Sequence, residues 1–189
     1  MALIVPGTIV SRDRLLYDGE QLRSHWIYDA FGIRGDAVAA FEGPVDVRGE
    51  KLVDLEDRRR GLFIAGRSML HVIVESFGPD LVRAVFMQRL LVMLAVEHVR
   101  GAAGSGLRRS GDDIYIGDGK LSVSIATVSG VSSLVHLGIN VTNEGTPVKT
   151  AALADLGIEP FAFAETLVRA YAAEIERMAT AAVKVRSVR

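Results

Sequence analysis

The sequence predicts an α+β domain built on a mixed, largely antiparallel sheet, with long helices packed on one face of that sheet. The predicted strands outnumber the helices, and several of them follow one another with only a turn between them. The chain has 189 residues, of which 49% are hydrophobic, and this is enough for one domain with a substantial core. We therefore expect residues 1–189 to form a single domain.

The first half of the chain combines predicted strands with two helices. Apolar alternation and β-branched residues predict strands at Ala2–Val10, Asp36–Gly43 and Ser68–Phe77. A helix is expected over Asp18–Phe31, ended by Gly32. The charged segment Glu50–Gly61 suits either a helical turn or an exposed loop. Pro79 is placed to begin the longest predicted helix, Asp80–Arg100.

The second half of the chain is richer in strands. Alternation predicts strands at Asp112–Ile116, Lys120–Val128 and Ser132–Thr142. The first two flank a turn at Gly117–Gly119, and this arrangement predicts a hairpin. The segment Gly101–Gly106 is typical of a flexible link. Thr150–Leu156 suits a short helix, and Glu159–Val183 suits a second long amphipathic helix.

A polar face on two predicted strands is the best candidate for a functional site. Every second residue along these strands is polar or small, and such residues share one face. They are Lys120, Ser122 and Ser124 on one strand, and His136, Gly138 and Asn140 on the next. If the strands pair as a hairpin, both sets are expected on one face, with space above the small residues. Lys120 would offer a charge to a carboxylate or phosphate, and Asn140 both a donor and an acceptor. The alternative is a face that is simply exposed to solvent.

Three further residues are candidates for binding the same ligand. Asp112 and Asp113 lie on opposite faces of their strand, so only one can point into the site, and we take Asp112. His71 and Glu75 share a face of Ser68–Phe77, which would widen the pocket. They lie about 13 Å apart along the strand and cannot hold one metal ion together, so a structural or interface role is the alternative. No metal ligand is assigned.

Composition excludes several classes of function. The chain has no cysteines, which excludes disulfides, thiolate metal sites and a cysteine nucleophile, and fits a reducing cytoplasm. The net charge is −1 and there is no basic stripe with interleaved aromatic residues, so no nucleic-acid partner is expected. The apolar stretch Leu81–Val99 contains Arg83, Arg89 and Glu97, which argues against a membrane span. We expect a cytoplasmic protein with no membrane partner.

Two segments resemble the core of the biotin protein ligases and lipoate–protein ligases. The segments are Asp118–Ala126 and Leu134–Val141. Lys120 matches the lysine that contacts the acyl-adenylate in those enzymes, and Gly138–Val141 matches their Gly-Ile-Asn-Val element. The resemblance implies the fold of the ligase catalytic domain, and it names ATP and Mg²⁺ as candidate cofactors.

Nearly the whole chain also resembles an uncharacterised archaeal and bacterial family assigned to the same superfamily. The matching segments are Ser24–Trp26, Val53–Asp57, Met69–His71, Val74–Phe77, Gln88–Leu91, Arg109–Asp113 and Lys184–Arg186. That family carries no established activity.

The phosphate-binding loops of the ligases are absent from this sequence. Neither the Gly-Arg-Gly-Arg-x-Gly-Arg loop of biotin ligases nor the Arg-Arg-x-x-Gly-Gly-Gly element of lipoate ligases occurs. The segment expected in that place is Val53–Arg60, whose carboxylates would repel a phosphate unless a metal ion or the nearby arginines compensated. Support for ATP and Mg²⁺ is therefore weak. We expect the acidic residues to form a solvated, salt-bridged loop rather than a Mg²⁺ site.

Three functions are compatible with these residues. The first is an enzyme that binds a small carboxylate- or nucleotide-like ligand and catalyses acyl or group transfer. In it, Lys120 would stabilise negative charge, His136 would act as the acid–base group and Asn140 would orient the ligand. The second is a binding or regulatory module without catalysis, and the third is an oligomeric structural protein. A homodimer is expected, because the apolar content is high and polar strand faces need partners.

Overall fold

The computed structural model describes residues 4–188, which form eight strands and four α-helices. The strands are β1 (Gly7–Val10), β2 (Ala37–Val47), β3 (Ile64–Phe77), β4 (Leu107–Ser110), β5 (Asp113–Ile116), β6 (Gly119–Lys120), β7 (Ser122–Val128) and β8 (Ser132–Asn140). The helices are α1 (Trp26–Phe31), α2 (Leu55–Arg59), α3 (Leu81–Ala103) and α4 (Pro160–Val183). Short 3-10 turns occupy Gly49–Lys51, Gly104–Gly106 and Ala154–Leu156.

The strands form one large and one small sheet. The large sheet has five strands in the order β1-β2-β3-β8-β7, and the small sheet has three in the order β4-β5-β6. Only the β1–β2 pair is parallel, and the other neighbouring strands pair antiparallel. The prediction of a largely antiparallel α+β fold is confirmed.

The two long helices pack on the same face of the large sheet, as predicted. Leu70, Val72 and Val74 of β3 point into the core beneath the helices, beside alternate residues of β8. The helices contribute buried apolar side chains such as Leu91 of α3 and Leu167 of α4. None of the helices within residues 4–188 is both long and apolar enough to cross a membrane.

The opposite face of the sheet is covered by the segment between β1 and β2 and by the start of the β2–β3 connection. Tyr17 and Ile27 pack there against Phe41 of β2 and Ile73 of β3. The middle of the sheet is therefore buried on both faces, and any site on this second face must lie where that cover ends.

The predicted helix over Asp18–Phe31 is wrong for most of its length, since only Trp26–Phe31 is helical. Residues 18–25 form turns and bends instead, in which the Leu22 amide donates to the Gly19 carbonyl and the His25 amide donates to the buried carboxylate of Glu75. Gly19 and His25 adopt positive φ values of 95° and 65°, and these left-handed conformations interrupt a right-handed helix.

Several boundaries also differ from the predictions. The strand expected to end at Gly43 continues to Val47, because a register shift between Gly43 and Val45 accommodates Pro44, which has no amide hydrogen. The charged segment Glu50–Gly61 forms a helical turn, α2, and Thr150–Leu156 has only a 3-10 turn. Strand β4 was not predicted. Strand Ala2–Val10 shortens to β1, with residues 1–3 outside the described part of the chain.

We predict that Gly43→Ala lowers the free energy of unfolding by about 3 kcal/mol, at the upper end of ordinary overpacking. A Cβ at this position would overlap the backbone carbonyl of Leu15, which cannot rotate away. Gly101→Ala is the matched control, because nothing lies within 4 Å of its Cβ position in α3. It is expected to be neutral or stabilising by about 0.5–1 kcal/mol. Urea unfolding measures both, and equal stability of the two variants would contradict the prediction.

Candidate ligand-binding site

A cleft of about 650 Å³ opens beside the buried part of the sheet's second face. Several parts of the chain enclose it: strands β3, β7 and β8, the β1–β2 and β2–β3 connections, the β5–β6 hairpin, and residues 146–148 and 150. A volume of this size is typical of pockets that bind small molecules.

The walls of the cleft are mostly apolar. The apolar lining residues are Leu22, Val47, Leu52, Val53, Leu62, Phe63, Ile64, Ala65, Met69, Val123, Ile125, Pro147 and Val148. The polar lining residues are Tyr17, Lys51, Asp54, Asp57, Asp112, Asp113, Lys120, Ser124, His136, Asn140, Thr146 and Thr150. Apolar walls combined with placed polar groups are typical of a small-molecule site.

His136 lies at the base of the cleft between two aromatic neighbours. The Tyr17 ring stacks on it with centroids 3.8 Å apart and an interplanar angle of 8°. The Nε2 atom of His136 lies 3.1 Å from Nδ1 of His71, so the two imidazoles share a hydrogen bond. The strands β3 and β8 bring them together by pairing His71 with Gly138 and Ile73 with His136.

Both histidines are neutral at pH 7. Burial lowers the pKa of His136 well below its ordinary value, and neighbouring His71 lowers it further. Burial also lowers the pKa of His71 to about 3, although the backbone carbonyls of Gly43 and Pro44 oppose this shift. Burial raises the pKa of Tyr17, and the negative charge of Asp18 raises it further. The base of the cleft is therefore an uncharged, aromatic and hydrogen-bonded layer.

Asn140 ties the end of β8 to two other parts of the chain. Its Nδ2 atom donates to the Lys120 carbonyl at 3.0 Å and to the Ala151 carbonyl at 3.2 Å. Both amide hydrogens are thus occupied, which fixes the orientation of the side chain. Asn140 lines the cleft, and its Oδ1 atom has no hydrogen-bond partner among residues 4–188.

Lys120 and Asp112 each have charged partners at the small sheet. The Nζ atom of Lys120 lies 3.0 Å from a carboxylate oxygen of Asp113. Asp112 accepts hydrogen bonds from Gln88 at 2.9 Å and Ser124 at 3.0 Å, and pairs with Arg89 at 3.1 Å. All three ligand candidates Lys120, Ser124 and Asp112 line the cleft.

The predicted common face for the serines and His136 is wrong. Strands β7 and β8 are adjacent and antiparallel as expected, but Ser122 pairs with Ile139 and Ser124 with Leu137. Cross-strand partners share a face, so both serines point toward the helix layer while Val123 and Ile125 lie beside His136.

Hydrogen bonding explains why polar side chains can point toward the helix layer. Ser122 is fully buried and accepts from the Ile114 amide at 3.0 Å, and Ser124 bonds to Gln88 and Asp112. The alternation also breaks at Leu121, which joins the small sheet to the large one through bonds with Ile114 and Asn140. A one-residue change at such a break moves every later side chain to the other face.

Four of the predicted ligand-binding residues do not line the cleft, namely Ser122, Gly138, His71 and Glu75. Met69 occupies the space that a Cβ on Gly138 would need, so this glycine serves packing rather than ligand space. His71 lies fully buried behind His136. The buried carboxylate of Glu75 accepts hydrogen bonds from the His25 amide and from the Ser132 hydroxyl, both at 2.8 Å. Glu75 therefore has the structural role that was the alternative to ligand binding.

The acidic β2–β3 connection contributes Asp54 and Asp57 to the cleft wall. Asp54 caps α2 by accepting from the amides of Glu56 and Asp57. Within residues 4–188, no three His, Cys, Asp or Glu side chains are grouped to hold a metal ion. The sequence did not predict that residues 146–150 or the stacking ring of Tyr17 belong to the cleft, because neither follows an alternating pattern.

The fold is that of the biotin and lipoate protein ligase catalytic domains. The biotin protein ligase of Aquifex aeolicus, in complex with biotin and ATP, superimposes with a TM-score of 0.56 at 10% identity, covering 92% of this chain and 72% of that one. A bi-partite lipoate protein ligase of Thermoplasma acidophilum gives 0.52 at 14% identity, covering 92% and 85%. At these identities the similarity establishes the fold alone.

The chain belongs to the family described as Domain of unknown function (DUF366), which matches residues 7–186. A protein of unknown function from Pyrococcus horikoshi is 42% identical with a TM-score of 0.90, covering 96% of this chain and 98% of that one. An uncharacterized protein of Methanocaldococcus jannaschii is 37% identical over 157 residues, 80% of this chain and 71% of that protein. The resemblance to an uncharacterised family on the ligase fold is confirmed.

We predict that the free energy of unfolding falls as the pH drops below about 6.5, because of the buried histidines. The folded-state pKa of His71 is about 3 against an ordinary value of 6.5, so below 6.5 the unfolded chain binds more protons. Each such site removes about 1.4 kcal/mol per pH unit, or roughly 2 kcal/mol by pH 5. Urea unfolding between pH 7.5 and pH 5 measures the slope.

The variant His71→Gln tests the assignment, because glutamine forms hydrogen bonds but does not titrate in this range. Its stability should depend less steeply on pH than that of the wild type. His98→Gln is the control, because His98 lies on α3 and outside the cleft. This variant should retain the pH dependence of stability that comes from the buried pair. An unchanged slope in His71→Gln would contradict the prediction.

Proposed function

We propose that this protein binds a small molecule with an apolar body in the cleft, and that the polar groups of the ligand contact Lys120, His136 and Asn140. The observation that supports this most is the composition of the cleft, in which mostly apolar walls surround the buried side chains of His136 and Asn140. A solvent-exposed strand face would instead carry long charged residues.

The expected ligand is carboxylate- or nucleotide-like. Lys120 has three ammonium hydrogens, and its contact with Asp113 leaves others for an anionic group of the ligand. Asp54 and Asp57 disfavour an anion near α2, since like charges repel, whereas at the other end of the cleft Lys120 offsets the charge of Asp113. Biotin and ATP, which are bound in the structure of the Aquifex ligase, supply probes of both types.

Acyl or group transfer is a second candidate function, favoured by the ligase fold and by the position of Lys120 on the cleft wall. A carboxylate oxygen of the ligand would attack the α-phosphorus of ATP, and pyrophosphate would leave. Lys120 would offset the negative charge that develops. The lowered pKa of His136 makes it a weak base, so in this reaction its contribution would be a hydrogen bond rather than proton transfer.

A homodimer in the cytoplasm remains our prediction from the sequence. Exposed apolar residues on α3, including Val82, Phe86 and Met93, are compatible with a partner on that helix.

We predict that at least one of biotin, lipoate, octanoate and ATP raises the melting temperature of the wild type. Lys120→Met should weaken that ligand's affinity roughly tenfold or more, since a charge-assisted hydrogen bond is lost. Lys149→Met is the matched control, because Lys149 is exposed and its partner Asp118 lies outside the cleft lining. Calorimetric titration measures the dissociation constants, and incubation with ATP and Mg²⁺ followed by mass analysis detects an acyl-adenylate. Equal affinity of both variants would remove Lys120 from the site.

A further inference from the structure

The floor of the cleft has a raised step near its middle, formed by the side chain of Met69. Every second residue of β8 points to this face, so Gly138 lies halfway between His136 and Asn140. His136 and Asn140 are about 13 Å apart along the strand. Met69 is the cross-strand partner of Asn140, and its Sδ atom occupies the position that a Cβ on Gly138 would take. The thioether therefore lies over Gly138, between the two polar residues.

The Met69 thioether is closely packed on the side of the sheet. The position of a Gly138 Cβ is 3.3 Å from Cε1 of His136 and 3.3 Å from Cγ2 of Val123. Met69 is buried, yet it lines the cleft. The backbone of β8 lies beneath the sulfur and these two side chains lie beside it. A displaced thioether can therefore move only into the cleft, which the flexible methionine side chain permits.

The step separates two ends of the cleft that differ in character. Lys120 belongs to the Asn140 end, because its carbonyl accepts a hydrogen bond from Asn140 Nδ2. Tyr17 belongs to the His136 end, because the two rings stack. A ligand whose polar group is held by Lys120 must therefore pass over Met69 to reach the aromatic layer.

We propose that Met69 determines the length of the ligand, by limiting how far an apolar chain bound at Lys120 extends toward His136. The inference rests on the proposed function, because it concerns the ligand of the same cleft. It names the ligand class as a carboxylate with an apolar chain of limited length. Met69 is then a specificity-determining residue, and it has no part in any chemical step.

Gly138 supports this selection, because the lack of a Cβ lets the thioether lie directly on the sheet. Alanine at position 138 would displace the thioether into the cleft and shorten the space for a chain. Met69→Ala would instead remove three heavy atoms and open the floor toward His136. The two substitutions act in opposite directions, which a general loss of stability would not produce.

Methyl NMR of the methionine side chains tests this geometry without any ligand. The probe is wild type labelled with ¹³C at the methionine methyl groups, and Met69→Ala assigns the Met69 signal. We expect Gly138→Ala to move that signal, because the methyl group shifts relative to the ring of His136. Gly130→Ala is the matched control, since its Cβ position is surrounded by open space in the described part of the chain. An unmoved Met69 signal in Gly138→Ala overturns the proposal, whether or not the cleft binds a ligand.

A series of straight-chain carboxylates from butanoate to dodecanoate tests the selection itself. Each buried methylene should tighten binding about fourfold, equivalent to about 0.8 kcal/mol, until the chain meets the step. Calorimetric titration locates the length at which affinity stops rising. We expect this limit to lie roughly two or three carbons later in Met69→Ala, the size of the removed side chain, and earlier in Gly138→Ala. Met93→Ala, which is exposed on α3 outside the cleft lining, should match the wild type.

The outcomes separate this inference from the proposed function. The same limiting length in all four proteins, or a shift in one direction in both cleft variants, overturns the selection by Met69 and leaves the proposed function in place. Gly138→Ala decides the question by itself should Met69→Ala fail to fold. If no carboxylate binds the wild type, the proposed ligand class is wrong and the selection is wrong with it.

Discussion

The antiparallel pairing of β3 with β8 is the interaction on which the rest of the structure depends. It lies at the centre of the large sheet and gives its two faces opposite functions. On one face it aligns Val72 and Leu137 for the core under α3 and α4. On the other it brings His71 and His136 within hydrogen-bonding distance, which fixes the base of the cleft. A slip of one residue would exchange these faces and bury the polar pair under the helices.

The sequence was sufficient to predict those elements whose own pattern determines their environment. The alternation in β3 and β8 is unbroken, so the assignment of faces within each strand was correct. The assignment of faces failed in β7, because Ser122 and Ser124 form hydrogen bonds on the helix side. Their partners there, Ile114 and Gln88, are remote in sequence. Such partners are invisible to a local periodicity. The helix expected from Asp18 failed for the same kind of reason, since the His25 amide is bonded to the carboxylate of Glu75, which is remote in sequence.

The candidate site could be predicted only in part. Lys120, His136, Asn140, Ser124 and Asp112 do line one cleft, although not through the shared face that suggested them. The chain brings them together because the small sheet crosses the end of the large one at Leu121, beside the amide of Asn140. Tyr17 and the acidic wall at Asp54 and Asp57 complete the cleft from segments that no strand pattern identifies. The likeness to the ligases establishes the fold alone, and a shared fold does not by itself carry over nucleotide chemistry.

The most direct test of the central claim is native mass spectrometry of the purified protein beside two variants of β7. Val123→Trp fills the cleft next to His136, whereas Val128→Trp adds the same side chain at an exposed position on the same strand, outside the cleft lining. The account predicts that wild type and Val128→Trp carry the same small-molecule adduct, either co-purified or added as a stabilising probe, and that Val123→Trp does not. The same adduct on all three folded proteins, or on none of them, would contradict the assignment of this cleft as the ligand site.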